Sequence, residues 1–125
     1  MKRTFWKTDE PLQRDSAAPD WTPAKPYQVD TLEEATLIGS CIGNFDSPHP
    51  KHMPVIDIDL PCELVESSTP GHFHLYINKG ISWDRYRSIL LALADAGIVE
   101  RGYYEASVHH GQTFVRKPGL TKANS

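Results

Sequence analysis

Two aspartates stand two residues apart in Val55-Ile56-Asp57-Ile58-Asp59-Leu60, and two histidines repeat that spacing in His72-Phe73-His74-Leu75-Tyr76. Successive side chains of a strand point to opposite faces, so an extended segment turns Ile56, Ile58 and Leu60 one way. Asp57 and Asp59 then share the other face, about 6.6 Å apart. Paired carboxylates at that spacing suit Mg²⁺ or Mn²⁺, because each supplies a hard oxygen ligand and a cation between them relieves their repulsion. Such an ion could assist phosphoryl or nucleotidyl transfer. An antiparallel sheet with one wet face accounts for the same acids as solvated surface.

The histidine segment obeys the same rule, with Phe73, Leu75 and Ile77 on the apolar side and His72, His74 and Tyr76 on the other. An imidazole there can hold a phosphate or act as acid or base. His-x-His also suits Zn²⁺, but zinc needs a third protein ligand and the cysteines are not at ligand spacing. Exposed histidines on a polar face are the plain alternative. Between the two segments lies Ser67-Ser68-Thr69-Pro70-Gly71. Ser68, Thr69 and the backbone at Gly71 could receive phosphate, with Arg116 offsetting charge. The same residue types dominate ordinary turns, and no Walker-type Gly-Lys-Ser/Thr follows.

These groups need elements to position them. Ala35–Ile42, Pro54–Leu60 and Gly71–Ile77 are expected as strands. Thr31 can cap one helical turn before the first of them. A helix is expected after Ser82, which can cap it. Asp84 lies in its first turn, Trp83, Tyr86, Leu90, Leu93 and Ala94 recur at helical spacing, and Gly97 ends it. Segments 102–108 and 112–116 then suggest a hairpin about His109-His110-Gly111, which would turn Glu105 outward as a third acid. The expected fold is α+β: a small, mostly antiparallel sheet with one main helix on a face.

Pro11, Pro19, Pro23 and Pro26 make residues 1–30 an extended arm, in which neither a helix nor a central strand is expected to persist. Phe5, Trp6, Trp21 and Tyr27 in that arm are unusual for a solvated tail and suit docking on the domain or a partner. Residues 31–118 are expected to form one domain, and 119–125 a frayed tail.

At 125 residues the chain suits one small core rather than a repeat array or a multidomain machine. Its 13 basic and 16 acidic residues give a net charge of −3, so tight nonspecific DNA binding through phosphates is not expected. Cys41 and Cys62 form no Cys-x-x-Cys pair, and Asp9, Glu10 and Pro11 interrupt any apolar signal core, which favours a reduced, cytoplasmic setting without export. The longest apolar run, Ile89–Ala94, is far below the roughly 20 residues of a membrane-spanning helix.

The Val55–Asp59 and Ser68–Tyr76 segments together resemble the first two motifs of archaeo-eukaryotic-type primases and primase-polymerases: a hydrophobic Asp-x-Asp, then a Ser/Gly turn and a histidine on a strand. That resemblance implies an RRM-like catalytic sheet, Asp57 and Asp59 as metal ligands, and His72 or His74 at a nucleotide phosphate. It covers residues 54–77 and extends at most to Arg116-Lys117-Pro118-Gly119. The spacing from acids to histidine is tighter than in those enzymes, and only Glu105 stands in for their later acidic motif. As a whole the sequence also resembles small proteins of actinobacteria and their phages.

Two functions are therefore in competition. One is a noncatalytic interaction or accessory protein of phage or mobile-element type, with a primase-like sheet whose polar face could take a divalent metal, a nucleotide or nucleic acid, meeting a protein partner through the N-terminal arm. The other is a metal-dependent nucleotidyl or phosphoryl transferase using Asp57, Asp59 and Glu105 as ligands, with His72 or His74 at the phosphate.

Overall fold

A computed structural model describes residues 2–8 and 25–117; the tail expected at 119–125 lies outside the described residues. The chain divides into two compact units, Met1–Asp57 and Ile58–Ser125. The fold is α+β, with a four-stranded antiparallel sheet in the first unit, a two-stranded one in the second, and two helices.

The first unit holds β1 (Arg3–Lys7), β2 (Tyr27–Val29), β3 (Leu37–Ile42) and β4 (Lys51–His52), in the spatial order β2-β1-β3-β4. The expected arm thus contains a central strand and an edge strand. Arg-Thr-Phe-Trp-Lys carries no proline, and Phe5 pairs with Val29 on one side and Ile38 on the other. Proline excludes a central strand only where it falls, and the prolines of this region begin at Pro11. Before β3, Thr31 Oγ1 accepts from the Glu34 amide (3.3 Å) and donates to Glu34 Oε1 (2.9 Å), closing the expected capped turn.

Residues 54–60 are not a strand. The Met53 amide still donates to Ser40 O (2.8 Å), but Pro54, which has no N–H, comes next and among the described residues no partner strand runs beside the segment. Arg3 Nη2 holds the Pro54 carbonyl at 3.2 Å where the chain leaves the sheet. Alternation in sequence was real here, but alternation without a ladder does not make a strand.

In the second unit β5 (Cys62–Glu66) and β6 (Phe73–Ile77) form an antiparallel ribbon in full register from Cys62 opposite Ile77 to Glu66 opposite Phe73. Helix α1 (Trp83–Asp95) starts at Ser82, whose Oγ accepts from the Arg85 amide at 3.3 Å. Gly97, at φ 74°, reverses the chain within a few residues into α2 (Arg101–His110), and the two helices pack as a hairpin.

Helix α2 replaces the expected strand pair at 102–116. The apolar and polar positions there fit both periods, and local contacts favour the helical one. Arg101 Nε faces Glu105 Oε1 one turn on (3.9 Å), Arg101 Nη1 pairs with Asp95 Oδ1 (2.8 Å), and the Ser107 hydroxyl donates to Tyr103 O (3.0 Å). His109 and His110 end the helix, where the dipole favours cations, and Gly111 at φ 71° caps it.

Among the described residues all strands precede both helices, so the βαββαβ order of an RRM-like sheet is not seen. Among the described residues only Thr4 and Cys41 in the first unit and Leu90 and Ser107 in the second are buried.

Candidate functional site

The ribbon sets the geometry of the histidines. Residues directly opposite in an antiparallel pair put their side chains on the same face. His74, opposite Val65, therefore shares a face with Tyr76 and its partner Glu63, as alternation within β6 requires. His72 lies just before the strand, and its carbonyl accepts from the Ser67 amide (2.9 Å). The strand beside the histidines is β5 and not the aspartate segment, so the acidic neighbour on the His74 face is Glu63. No sequence signal pointed to Glu63, because Leu64 and Val65 break the alternation of Cys62–Glu66.

Ser68, Thr69 and Gly71 form the turn of this ribbon. Ser67 Oγ accepts from the Thr69 amide (3.2 Å) and the His72 amide donates to Thr69 O (3.0 Å), while Gly71 adopts φ 79°. The amides of Ser67, Thr69 and His72 are thus already used inside the turn. That is how a six-residue reversal between two strands satisfies its own backbone.

Asp57 ends the first unit and Asp59 lies in the second; both are exposed in the unpaired segment. Glu105 is exposed on α2 with Arg101 as its neighbour, and Arg116 lies in the irregular segment after that helix. Among the described residues no three His, Cys, Asp or Glu side chains gather as a group able to hold a metal ion. Both cysteines are free thiols, Cys41 buried and Cys62 exposed.

Among the described residues one side chain has a displaced ionisation. Burial and the neighbouring Tyr86 push the Tyr103 hydroxyl above the usual tyrosine range, against a hydrogen bond with Thr113 that lowers it. Thr113 Oγ1 is also 3.0 Å from Ser107 Oγ, so this group ties the segment after α2 back to the helix.

The opposite face of the ribbon carries Cys62, Leu64, Glu66, Phe73, Leu75 and Ile77. Leu64, Phe73, Leu75 and Ile77 are each at least half exposed (64%, 55%, 51% and 50%). Within β6 parity sorts polar from apolar as the sequence implied, whereas β5 places Glu66 on the apolar face and Val65 on the other, and the apolar side is open to solvent.

In the first unit Trp6, Pro26, Leu37 and Phe45 line a shallow apolar depression, and Lys2, His49 and Lys51 line a separate open pocket. Among the described residues no helix is long and apolar enough to cross a membrane. No family model, no curated protein and no solved structure matches the chain.

Proposed function

We propose that the chain is a noncatalytic interaction protein, an accessory factor of the kind its resemblance to small phage proteins suggests, and that it meets a protein partner through the apolar face of the β5–β6 ribbon. The observation that carries this is the row Leu64, Phe73, Leu75 and Ile77, aligned by register and open to solvent. A two-stranded ribbon alone is marginal in water. Fully burying one such side chain contributes about 1.5–3 kcal/mol, so covering four that are half exposed contributes roughly 3–6 kcal/mol before association costs. Each strand of the ribbon also keeps one unpaired edge among the described residues, where a partner backbone can hydrogen-bond.

This reading moves the contact surface from the N-terminal arm to the ribbon. Deleting residues 1–30 would remove β1 and β2, so that truncation would damage the sheet rather than isolate a binding segment. A transferase reading needs Asp57, Asp59 and Glu105 to converge on one cation, and no observation favours it over the open apolar row.

Binding of a hydrophobic fluorescent dye tests the proposal. The wild-type chain should bind dye, and a Leu64→Asp/Leu75→Asp variant with an unchanged circular dichroism spectrum should lose most of that signal. Equal dye binding by both, or none by the wild type, would contradict an open apolar face.

A further inference from the structure

The order β1-β3-β4 brings two distant lysines together. Lys2 immediately precedes β1, Lys51 opens β4, and the β3–β4 connection carries His49 and Ser47 between them. These four, with Ile42, Gly43 and Pro50, line one open pocket of about 410 Å³. The connection is held in shape locally: Asn44 Oδ1 accepts from the Asp46 amide (2.9 Å) and Asn44 O accepts from the Ser47 amide (3.1 Å).

Among the described residues no carboxylate lines the pocket; Asp46 sits in the same connection but outside the lining. Among the described residues Lys2, His49 and Lys51 have no ion-pair partner. This is not a general surplus of positive charge, because the chain carries −3 and residues 31–60 hold one basic against five acidic residues. Cations gathered on one concave surface repel each other, and a bound anion removes that cost.

We propose that this pocket binds the phosphate group of a phosphomonoester. Two ammonium groups with an imidazole and a hydroxyl are point-like donors that can surround a tetrahedral dianion, whereas the planar bidentate fork that favours a carboxylate is an arginine property, and among the described residues no arginine lines the pocket. The volume suits a small organic ligand rather than a bare ion, with Ile42 and Pro50 as apolar lining for its remainder. This site lies in the first unit and does not depend on the ribbon face.

Titrations followed by two-dimensional amide NMR, with inorganic phosphate, AMP and acetate as probes, test it. Phosphate and AMP should shift the Gly43, Ser47 and Lys51 amides, and acetate should not. Lys2→Gln and Lys51→Gln, both at exposed positions, should each weaken binding about tenfold, given the strength of a charge-assisted hydrogen bond. Lys79→Gln, outside the pocket, should change nothing. AMP tighter than phosphate places the organic remainder against Ile42, and equal affinities limit recognition to the phosphate itself; either supports the site. No binding, equal shifts with acetate, or affinity unaltered in both lysine variants would overturn it.

Discussion

The Nε1–Cδ1 edge of the Trp6 indole occupies the space beside Gly39 on the neighbouring strand. A methyl group added at Gly39 would stand 2.7 Å from Thr4 Oγ1 and 2.8 Å from Trp6 Cδ1, too close for either to remain in place. Trp6 Nε1 donates to Thr4 Oγ1 (2.7 Å), and the indole meets the Phe45 ring edge to face at 5.4 Å between centroids. The glycine is thus the hole into which the largest side chain of β1 fits, which fixes the register of β1 on β3.

Gly39→Ala should therefore destabilise the first unit by about 1–3 kcal/mol through overpacking. Chemical denaturation read by tryptophan fluorescence checks this. Adding Trp6→Leu to the alanine variant should recover part of the loss, because the two changes relieve the same collision; strictly additive effects would show that the contact does not matter.

Ser82→Ala removes the side-chain acceptor at the start of α1 and should cost about 1 kcal/mol. Thermal melts of the helical circular dichroism signal report it. Ser82→Asp should keep most of the stability, since a carboxylate can accept the same Arg85 amide.

The raised Tyr103 hydroxyl makes stability fall at alkaline pH. The folded chain holds this proton more tightly than the unfolded chain, so its contribution is complete below the usual tyrosine pKa of about 10 and is lost as pH rises from there through the raised folded value. Tyr103→Phe should flatten that alkaline decline in denaturation midpoints measured across the window. An identical decline in the variant would assign it to other groups.

Metal should have no special effect. With AMP present, added Mn²⁺ should raise the melting temperature no further than AMP alone, and Asp57→Asn/Asp59→Asn should melt with the same metal response as the wild type. A Mn²⁺-dependent rise that the double variant abolishes would restore the carboxylate site and the transferase reading.

Much of the α+β fold is legible in the residues because several signals are local. Ser82, Asp84 and Gly97 bracket α1 by capping, dipole and left-handed backbone, each acting within a turn. Phe73–Ile77 reads as a strand because its alternation is uninterrupted. The aspartate segment has the same alternation, but whether it pairs depends on a neighbour elsewhere in the chain, and Pro54 and Pro61 bracket it. β5 was invisible because Leu64 and Val65 are adjacent, one on each face of a ribbon whose apolar side is uncovered. Residues 101–110 carry a pattern compatible with both periods, and contacts with Asp95 and Thr113 decide between them.

The candidate site was legible in parity and not in partners. Alternation correctly separates His74 and Tyr76 from Phe73, Leu75 and Ile77. It could not say which strand lies alongside, and the neighbour brings Glu63 and Leu64 in place of the aspartates. The pocket of Lys2 and Lys51 had no sequence signal at all, since 48 intervening positions separate residues that only the β1-β3-β4 order brings together.

The most direct test of an interaction role is differential capture. Immobilised wild-type chain and the Leu64→Asp/Leu75→Asp variant would be exposed to extract of the cells that produce the protein, and retained proteins compared by mass spectrometry. The wild type should retain a specific protein that the folded variant loses, while Lys51→Gln, altered in the other unit, keeps it. Retention of the same proteins by wild type and ribbon variant, or of none by either, would contradict a ribbon-mediated partner.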